Sequence, residues 1–369
     1  MAINIESIIC YTYAIRLKRP FRISVGEMLV KEGVLFEVHA DGLVGWGEAS
    51  VDGIPFYTSE TVDTAVALTR RVFGPLMKER PWSSPEELES ALGAYRGHAF
   101  TKAGLEAAFW DIYGQSLGKS MSSLLGGTRE WVEFGPSLGI QKTPDDLVDA
   151  VADQKALGMR RIKIKVKPGY DEEYIAAVRE AHGDITLMVD ANSAYTPDDI
   201  DRLAAWDRFG LLMIEQPFDH DDIYFHRFLC ERMDTPICLD ESIVTPHVAR
   251  CALSFKSADV VNIKVGRVGG LVNAKRVHDL CAEASVPVWI GSRLSSGVAE
   301  AMRLAAASLP NATFPTDTGF AGLYLPESLL VQDLEIRNGC EICVPHAPGL
   351  GVRVDRDRLD NFTVRREEM

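Results

Sequence analysis

The middle of the chain repeats one short pattern eight times. Each repeat is an apolar run rich in β-branched residues, and the runs end near Ile140, Val166, Asp190, Glu215, Asp240, Lys264, Gly291 and Asp317. Successive ends are 24 to 27 residues apart. The stretches between them are amphipathic and carry helix-start signals such as Thr143-Pro144 and Thr196-Pro197. Eight strands alternating with helices at this period predict an α/β fold of the (β/α) barrel type.

A doubly wound sheet is the alternative to the barrel, but it more often has a Gly-rich phosphate loop after its first strand, and none is present.

The sequence outside the repeat predicts two further parts. Residues 1–125 begin with strands and hairpins and continue with helices, which predicts a separate α+β capping domain. The barrel domain then spans 126–320. Residues 321–369 are too few to fold alone, so we expect them to pack back on the capping domain.

Composition excludes several classes of function. The 39 basic and 53 acidic residues give a net charge of −14, which disfavours nucleic acid and anionic membranes as partners. The sequence contains neither a membrane-spanning apolar run nor a signal-peptide pattern. Seven cysteines, an odd number, indicate reduced thiols and a cytoplasmic protein. The lone C-x-x-C motif of Cys340 and Cys343 is interpreted as part of a short strand rather than half of a zinc or redox site.

The second predicted barrel strand carries lysines on one face. In Arg161 to Lys167, period-two alternation puts Lys163 and Lys165 on the face opposite Ile162 and Ile164. The apolar face must meet the outer helices, so the lysines point into the barrel. Buried ammonium groups need anionic partners, because burying an unpaired charge costs several kcal/mol. A solvated edge strand is the alternative, but a closed barrel has no edge.

Three consecutive strands end in a carboxylate each: Asp190, Glu215 and Asp240. The regular spacing places them at equal depth, at the end of the barrel where active sites lie. Converging carboxylates repel one another, and a divalent cation relieves this repulsion. Because these ligands offer only oxygen atoms, we expect the bound cation to be Mg²⁺, with Mn²⁺ as the alternative. Asn192 and Glu241 are the expected neighbours of these ligands.

The sixth strand ends in Lys264, across the barrel from Lys165. The two lysines would flank a small carboxylate substrate bound to the metal. A neutral lysine beside a metal-bound carboxylate can remove an α-proton, and the metal stabilises the resulting enediolate. The alternative is a non-catalytic barrel that only binds a ligand.

These residues resemble the enolase superfamily and, within its muconate-lactonising branch, the o-succinylbenzoate synthase/N-acylamino acid racemase family. The resemblance runs from about residue 3 to residue 355, and it is carried by the stretches 103–111, 137–141, 189–195, 212–217, 235–243 and 262–270. It implies a modified TIM barrel, (β/α)7β, with an N-terminal capping domain completed by the C-terminal tail. It also implies a homo-oligomer.

The resemblance implies a role for each candidate residue. Lys165 would take the α-proton, and Lys264 would be the opposing acid or a cation stabilising the enediolate. Lys163 would steady the substrate carboxylate, and Ser137 would also bind substrate. The loops 19–28 and 51–56 resemble those that close the site. The implied reaction is either dehydration to o-succinylbenzoate or racemisation of an N-acylamino acid, and a muconate-type cycloisomerase or another racemase or epimerase is the alternative.

Two segments depart from the family pattern. The family has Gly-Gly-Met-Leu-Glu-Thr-Gly after the seventh strand, whereas residues 291–297 here place Arg293 at the Met and Ser295 at the Glu. The end of the eighth strand, 316–320, departs as well. Arg293 either pairs with a remote carboxylate of the substrate or forms a salt bridge with Asp317 or is solvated.

Overall fold

The computed structural model describes residues 2–23, 26–55, 57–319, 322 and 324–369. The N-terminal part has three strands followed by five helices, with a π-helical turn at Thr69–Phe73: β1 (Ile5–Ile23), β2 (Gly26–Ala40), β3 (Leu43–Ala49), α1 (Val62–Leu68), α2 (Gly74–Lys78), α3 (Pro85–Gly93), α4 (Ala99–Leu117) and α5 (Met121–Leu125).

The barrel part alternates strands and helices after one short strand, β4 (Trp131–Glu133). Its strands are β5 (Ser137–Leu138), β6 (Arg161–Lys165), β7 (Thr186–Asp190), β8 (Ile214–Glu215), β9 (Ile237–Leu239), β10 (Val260–Ile263) and β11 (Val288–Ile290). Its helices are α6 (Pro144–Ala156), α7 (Glu172–Ala181), α8 (Ile200–Ala204), α9 (His226–Arg232), α10 (Pro246–Phe255), α11 (Leu271–Glu283) and α12 (Gly297–Ala307). The C-terminal part contains β12 (Ile336–Arg337), β13 (Glu341–Cys343), α13 (Arg356–Phe362) and β14 (Thr363–Glu368).

The C-terminal tail completes the N-terminal sheet, as the predicted fold class requires. The antiparallel sheet has the order β14-β1-β2-β3, and Ile9 lies opposite Glu368. Both faces of β1 are covered, because Tyr11 and Tyr13 belong to one core cluster and Ile8 and Cys10 to another.

The barrel strands run parallel in the order β11-β10-β9-β8-β7-β6-β5. The predicted (β/α)7β class is confirmed, but the eighth strand is not a regular strand. In its place Ala312 bridges to Val288 of the edge strand β11, and Thr316 bridges to Phe134, which lies between β4 and β5. Pro310 and Pro315 have no N–H to donate, which prevents a continuous ladder. All seven cysteines are free, and Cys343 lies in β13.

A buried acid links α4 to the barrel. Glu106 is fully buried, and its Oε1 accepts hydrogen bonds from the backbone N–H of Val272 at 2.9 Å and from Trp110 Nε1 at 3.0 Å. Val272 lies in the first turn of α11, where backbone N–H groups need acceptors. Burial raises the pKa of Glu106 to about 8.

This pKa predicts a pH dependence of stability. Between about pH 4.5 and about pH 8 the folded protein holds a proton on Glu106 that the unfolded chain releases, so the free energy of unfolding should fall as pH rises through this window. Glu106→Gln should reduce that fall. Urea unfolding at both ends of the window measures it, with Glu86→Gln on the exposed face of α3 as the control. Equal pH slopes in all three proteins would contradict the prediction.

Gly104 sets the close approach of α4 to β3. A Cβ at Gly104 would lie 2.7 Å from the backbone nitrogen of Ala49, whereas a Cβ at Gly93 would lie 3.5 Å from Glu89 Oε1. Alanine improves helix propensity at both positions by up to ~1 kcal/mol, but overpacking costs about 1–3 kcal/mol. Gly104→Ala should therefore lower the melting temperature and Gly93→Ala should not. Equal melting temperatures for the two variants would show that α4 can shift away from β3.

Candidate active site

The lysine face of β6 points into the barrel, as its alternation predicts. Ile162 and Ile164 pack in one core cluster with Ile175 and Val178 of α7. Lys163 points the other way and is 2% exposed. The edge-strand alternative is wrong, because β6 pairs with β5 on one side and β7 on the other.

Lys163 is surrounded by acids. Its Nζ lies 2.9 Å from Glu215 Oε2, 2.8 Å from Asp317 Oδ2 and 3.3 Å from Asp190 Oδ2. The ammonium also lies 4.8 Å from the ring centroid of Trp289 on β11. Burial disfavours the charge, but Asp317 and Glu215 outweigh it and raise the pKa of Lys163 well above its usual value. Lys163 is thus a permanent cation inside the barrel.

Asp190, Glu215 and Asp240 lie at adjacent strand ends and are fully buried. Asp190 is opposite Glu215 in the register of β7 and β8. Lys165 Nζ lies 2.5 Å from Asp190 Oδ2, and Lys264 Nζ lies 2.6 Å from Asp240 Oδ2. Each flanking acid therefore holds one of the two predicted catalytic lysines.

The pKa values report repulsion among the acids. Burial raises the pKa of Glu215 well above its usual value, and the charge of Asp190 raises it further. Burial also opposes ionisation of Asp240, but Arg267 and Lys264 hold the pKa of Asp240 below its usual range. A negative charge at Glu215 therefore needs more positive charge nearby.

The donor set fits a hard divalent cation. Three buried carboxylates offer only oxygen, the ligand that Mg²⁺ prefers. In the structure these three acids do not bring one ligand oxygen each within 4.8 Å of one another, and lysine ammonium groups lie against them. Within the described chain, the one group of possible metal ligands whose atoms come that close is exposed Asp219, His220 and Asp221. A cation would compete with these lysines for the carboxylates.

Tyr57 and Arg267 also contact the site residues, although nothing in the repeat pattern of the sequence predicts that they do. Lys264 Nζ donates to Tyr57 Oη at 2.8 Å, and Tyr57 Oη donates to Glu241 Oε1 at 2.8 Å. Asn192 Nδ2 donates to the same Glu241 oxygen at 2.9 Å, so the two predicted neighbours contact each other. Arg267 donates to Asp240 and to Tyr57.

Gln216 is another residue that sequence reasoning missed. Its Oε1 accepts from the backbone N–H of Asp240 at 2.9 Å, and its Nε2 donates to Ser242 Oγ at 2.6 Å. Gln216 adopts a φ of 37°, which turns the chain at the end of β8. The side chain of one strand end thereby fixes the backbone of the next.

One cavity brings most predicted site residues together. It is lined by the expected catalytic and substrate-binding residues Lys163, Lys165, Lys264, Ser137 and Arg293, and by Asn192. Ser137 lies opposite Lys163 in the register, and its buried Oγ has no hydrogen-bond partner in the part of the chain described. Of the expected closing loops, Ser24, Val25 and Phe56 lie outside the described residues, as does Phe320 after the eighth segment.

The departures from the family pattern have specific partners. Arg293 pairs with Asp52 after β3, whereas Asp317 pairs with Lys163 and with Arg161 Nη2 at 3.1 Å. The alternative of an Arg293–Asp317 salt bridge is therefore wrong. Ser295 Oγ accepts from buried Arg303 at 2.8 Å.

Two family models match the chain. The N-terminal domain of the mandelate racemase / muconate lactonizing enzyme family matches residues 6–126, and the enolase C-terminal domain-like family matches residues 146–358. Among the described helices, none has the length and apolar character to cross a membrane.

Similar proteins cover nearly the whole chain. An o-succinylbenzoate synthase from Geobacillus kaustophilus is 46% identical over 98% of this chain and 97% of that protein. An N-succinylamino acid racemase from Thermus thermophilus is 39% identical over 94% of each. A solved enolase superfamily member from Listeria innocua aligns with a TM-score of 0.95 at 31% identity, over 100% of this chain and 99% of that one. A dipeptide epimerase from Enterococcus faecalis was solved with Mg and the dipeptide L-Leu-L-Tyr. It aligns with a TM-score of 0.87 at 25% identity, over 95% of this chain and 99% of that one.

We expect Mg²⁺ to raise the melting temperature of the protein. A ligand that binds only the folded state stabilises it by about 2.7 kcal/mol when its free concentration is 100 times its Kd. Asp240→Asn should abolish this rise. Asp171→Asn is the matched control, because Asp171 is also a buried acid but does not line the cavity. Asp171 caps α7 and accepts a hydrogen bond from Tyr195 Oη. An undiminished rise in Asp240→Asn would show that Asp240 is not a ligand.

Proposed function

Because this chain belongs to the mandelate racemase / muconate lactonizing enzyme family of the enolase superfamily, we propose that it is an o-succinylbenzoate synthase. The reaction removes an α-proton from a carboxylate substrate and then eliminates water. The full-length likeness to the Geobacillus kaustophilus synthase supports this assignment. The same family membership makes the chain an enzyme, which argues against a non-catalytic barrel.

The observation that carries the proposal is the pair Lys165 and Lys264. Both side chains line one cavity, yet they come from β6 and from the end of β10, and three parallel strands lie between these two strands in the sheet. Each is about 8% exposed and each is held by a different buried aspartate. A substrate between them meets an amine on both faces of its α-carbon.

The proposed roles follow from these contacts. Lys165 Nζ takes the α-proton when it is neutral, and Asp190 keeps the amine aimed at the cavity. Lys264 stays charged beside Asp240 and Tyr57, and it stabilises the negative charge that develops on the substrate. The C–H electron pair becomes the new C=C bond, and the β-hydroxyl leaves with the C–O electron pair. The proton that Lys165 has taken is returned to this oxygen, so that water leaves and the amine is neutral again.

We propose that Asp190, Glu215 and Asp240 hold Mg²⁺ at this site. The cation would supply positive charge to the substrate carboxylate as the α-proton leaves. The Enterococcus faecalis epimerase, which was solved with Mg, supports this choice of metal. Lys163 lowers the net negative charge at the cavity, because its ammonium group pairs with Glu215 and Asp317.

Racemisation of N-succinylamino acids is the second candidate. The Thermus thermophilus racemase supports it, and so does a lysine on each side of the cavity. One lysine would remove the α-proton and the other would return a proton to the opposite face. This reaction needs no leaving group.

Proton NMR in D₂O with Mg²⁺ tests the two candidates. The panel is the o-succinylbenzoate precursor, both enantiomers of an N-succinylamino acid, and muconate. Loss of water from the precursor supports the synthase, and deuterium at the α-carbon with inversion supports the racemase. No reaction and no exchange with any of them would overturn the proposal.

The proposed roles of Lys165 and Lys264 lead to a second prediction, which concerns turnover. Lys165→Ala and Lys264→Ala should each lower turnover at least ~10²-fold, the usual contribution of a positioned acid or base. In racemisation each variant should still exchange the α-proton of one enantiomer, because one base remains. Lys167→Ala is the control, since Lys167 follows the same strand but does not line the cavity. Retained racemisation in either alanine variant would contradict the two-base assignment.

A further inference from the structure

Asp317 is a buried acid to which the proposed reaction gives no role. It lies at the end of the eighth segment, lines the cavity and is 4% exposed. Its Oδ2 lies 2.8 Å from Lys163 Nζ, and its Oδ1 lies 3.1 Å from Arg161 Nη2. One carboxylate thus bridges two cations that lie two residues apart on the same face of β6.

Lys163 shares its other acids with the proposed metal site. Its Nζ lies 2.9 Å from Glu215 Oε2 and 3.3 Å from Asp190 Oδ2. The other oxygen of Glu215 already accepts a hydrogen bond from Asn262 Nδ2 at 2.7 Å. The other oxygen of Asp190 accepts from the backbone N–H of Asn192 at 3.0 Å. Lys163 therefore contacts, in each acid, the oxygen for which an incoming cation would compete.

Of the three acids in contact with Lys163, Asp317 is the one outside the proposed set of metal ligands. A cation that takes Glu215 and Asp190 displaces the ammonium from both. A buried ammonium without an acid costs several kcal/mol, so the displaced group needs another carboxylate. Asp317 is already in contact with it and can remain its partner.

The position of Asp317 does not depend on the metal ligands. Arg161 is 1% exposed, and its Nη2 donates to the carbonyl oxygens of Pro315 and Thr316 at 2.9 Å each as well as to Asp317. These bonds tie the eighth segment to β6 from within the barrel. The carboxylate is therefore fixed by residues that a bound cation would leave in place.

Trp289 adds to the stabilisation of the ammonium at this place. The ring centroid lies 4.8 Å from Lys163 Nζ and 5.7 Å from Arg161 Cζ, and its Nε1 donates to Cys238 Sγ at 3.3 Å. The face of an indole ring attracts positive charge. The ammonium is thus held from the side of Asp317 by a carboxylate and an aromatic ring together.

We propose that Asp317 is a positioning residue for the metal site, which holds the Lys163 ammonium so that Mg²⁺ can replace it at Glu215. The inference rests on the proposed function, because it takes Glu215 and Asp190 as metal ligands. Asp317 gives the buried lysine a carboxylate partner whether or not the metal is bound. Metal binding then exchanges one cation for another without leaving Lys163 unpaired.

Calorimetric titration with MgCl₂, without substrate, tests the proposal. Asp317→Asn keeps the shape of the side chain but removes its charge, so Lys163 would depend on the metal ligands alone and compete harder with the ion. The Kd for Mg²⁺ should rise about tenfold or more, the equivalent of one charge-assisted hydrogen bond. Asp317→Glu keeps the charge and should restore part of the affinity.

A second background separates positioning from a general loss of negative charge. Lys163→Met removes the competing ammonium and should bind Mg²⁺ more tightly than wild type. In this background Asp317→Asn should change the Kd less than about twofold, because no ammonium is left to hold. An equal rise in both backgrounds would overturn the proposal, and so would equal Kd values for wild type and Asp317→Asn. If Lys163→Met does not fold, equal Kd values for Asp317→Asn and Asp317→Glu would overturn it.

Asp171→Asn is the matched control. Asp171 is also a buried acid that pairs with an arginine, with Arg202 Nη2 at 2.7 Å, but it does not line the cavity. Its loss should leave the Kd for Mg²⁺ at the wild-type value. A rise as large as that of Asp317→Asn would contradict a specific role for Asp317.

The titration needs no turnover, so it separates this inference from the proposed reaction. If the variants bind Mg²⁺ as expected but wild type converts no substrate, the reaction is wrong and the role of Asp317 stands. If wild type converts substrate but Asp317→Asn binds Mg²⁺ as tightly as wild type, the reaction stands and the role of Asp317 is wrong. If wild type binds no Mg²⁺, both the metal site and this inference are wrong.

Discussion

Three lysine side chains buried inside the barrel constrain the rest of this structure. Each ammonium group loses its hydration, and that loss costs several kcal/mol unless a carboxylate compensates. Lys163 meets Glu215 and Asp317, Lys165 meets Asp190, and Lys264 meets Asp240. The acids at the strand ends therefore compensate the buried lysines, in addition to the metal-binding role that we propose for three of them. Loss of one partner leaves the other charge buried and unpaired.

Much of this arrangement follows from period and spacing alone. Alternation in β6 places Lys163 and Lys165 inside, because Ile162 and Ile164 must meet the helices. A repeat of about 25 residues places Asp190 and the two following acids at one depth. These inferences succeed because strand geometry converts position in the sequence directly into direction in space.

The remaining contacts join residues far apart in the sequence, and no local pattern predicts them. Tyr57 reaches Lys264 across 207 residues, and Asp52 reaches Arg293 across 241. Both come from the segment after β3, whose placement over the barrel depends on tertiary packing. The eighth strand was predicted wrongly in detail for a different reason, since Pro310 and Pro315 interrupt the ladder although the spacing fits.

The pairing of β14 with β1 ties the order of synthesis to the completion of the N-terminal sheet. The ribosome makes β14 after every barrel strand, so β1 has an unpaired edge while the barrel emerges. The sheet behind Asp52 therefore gains its outer strand last. A nascent chain halted before residue 363 would carry its lysines and acids but expose a long strand edge to other chains. Late translation is thus the interval in which this protein is most prone to pair wrongly.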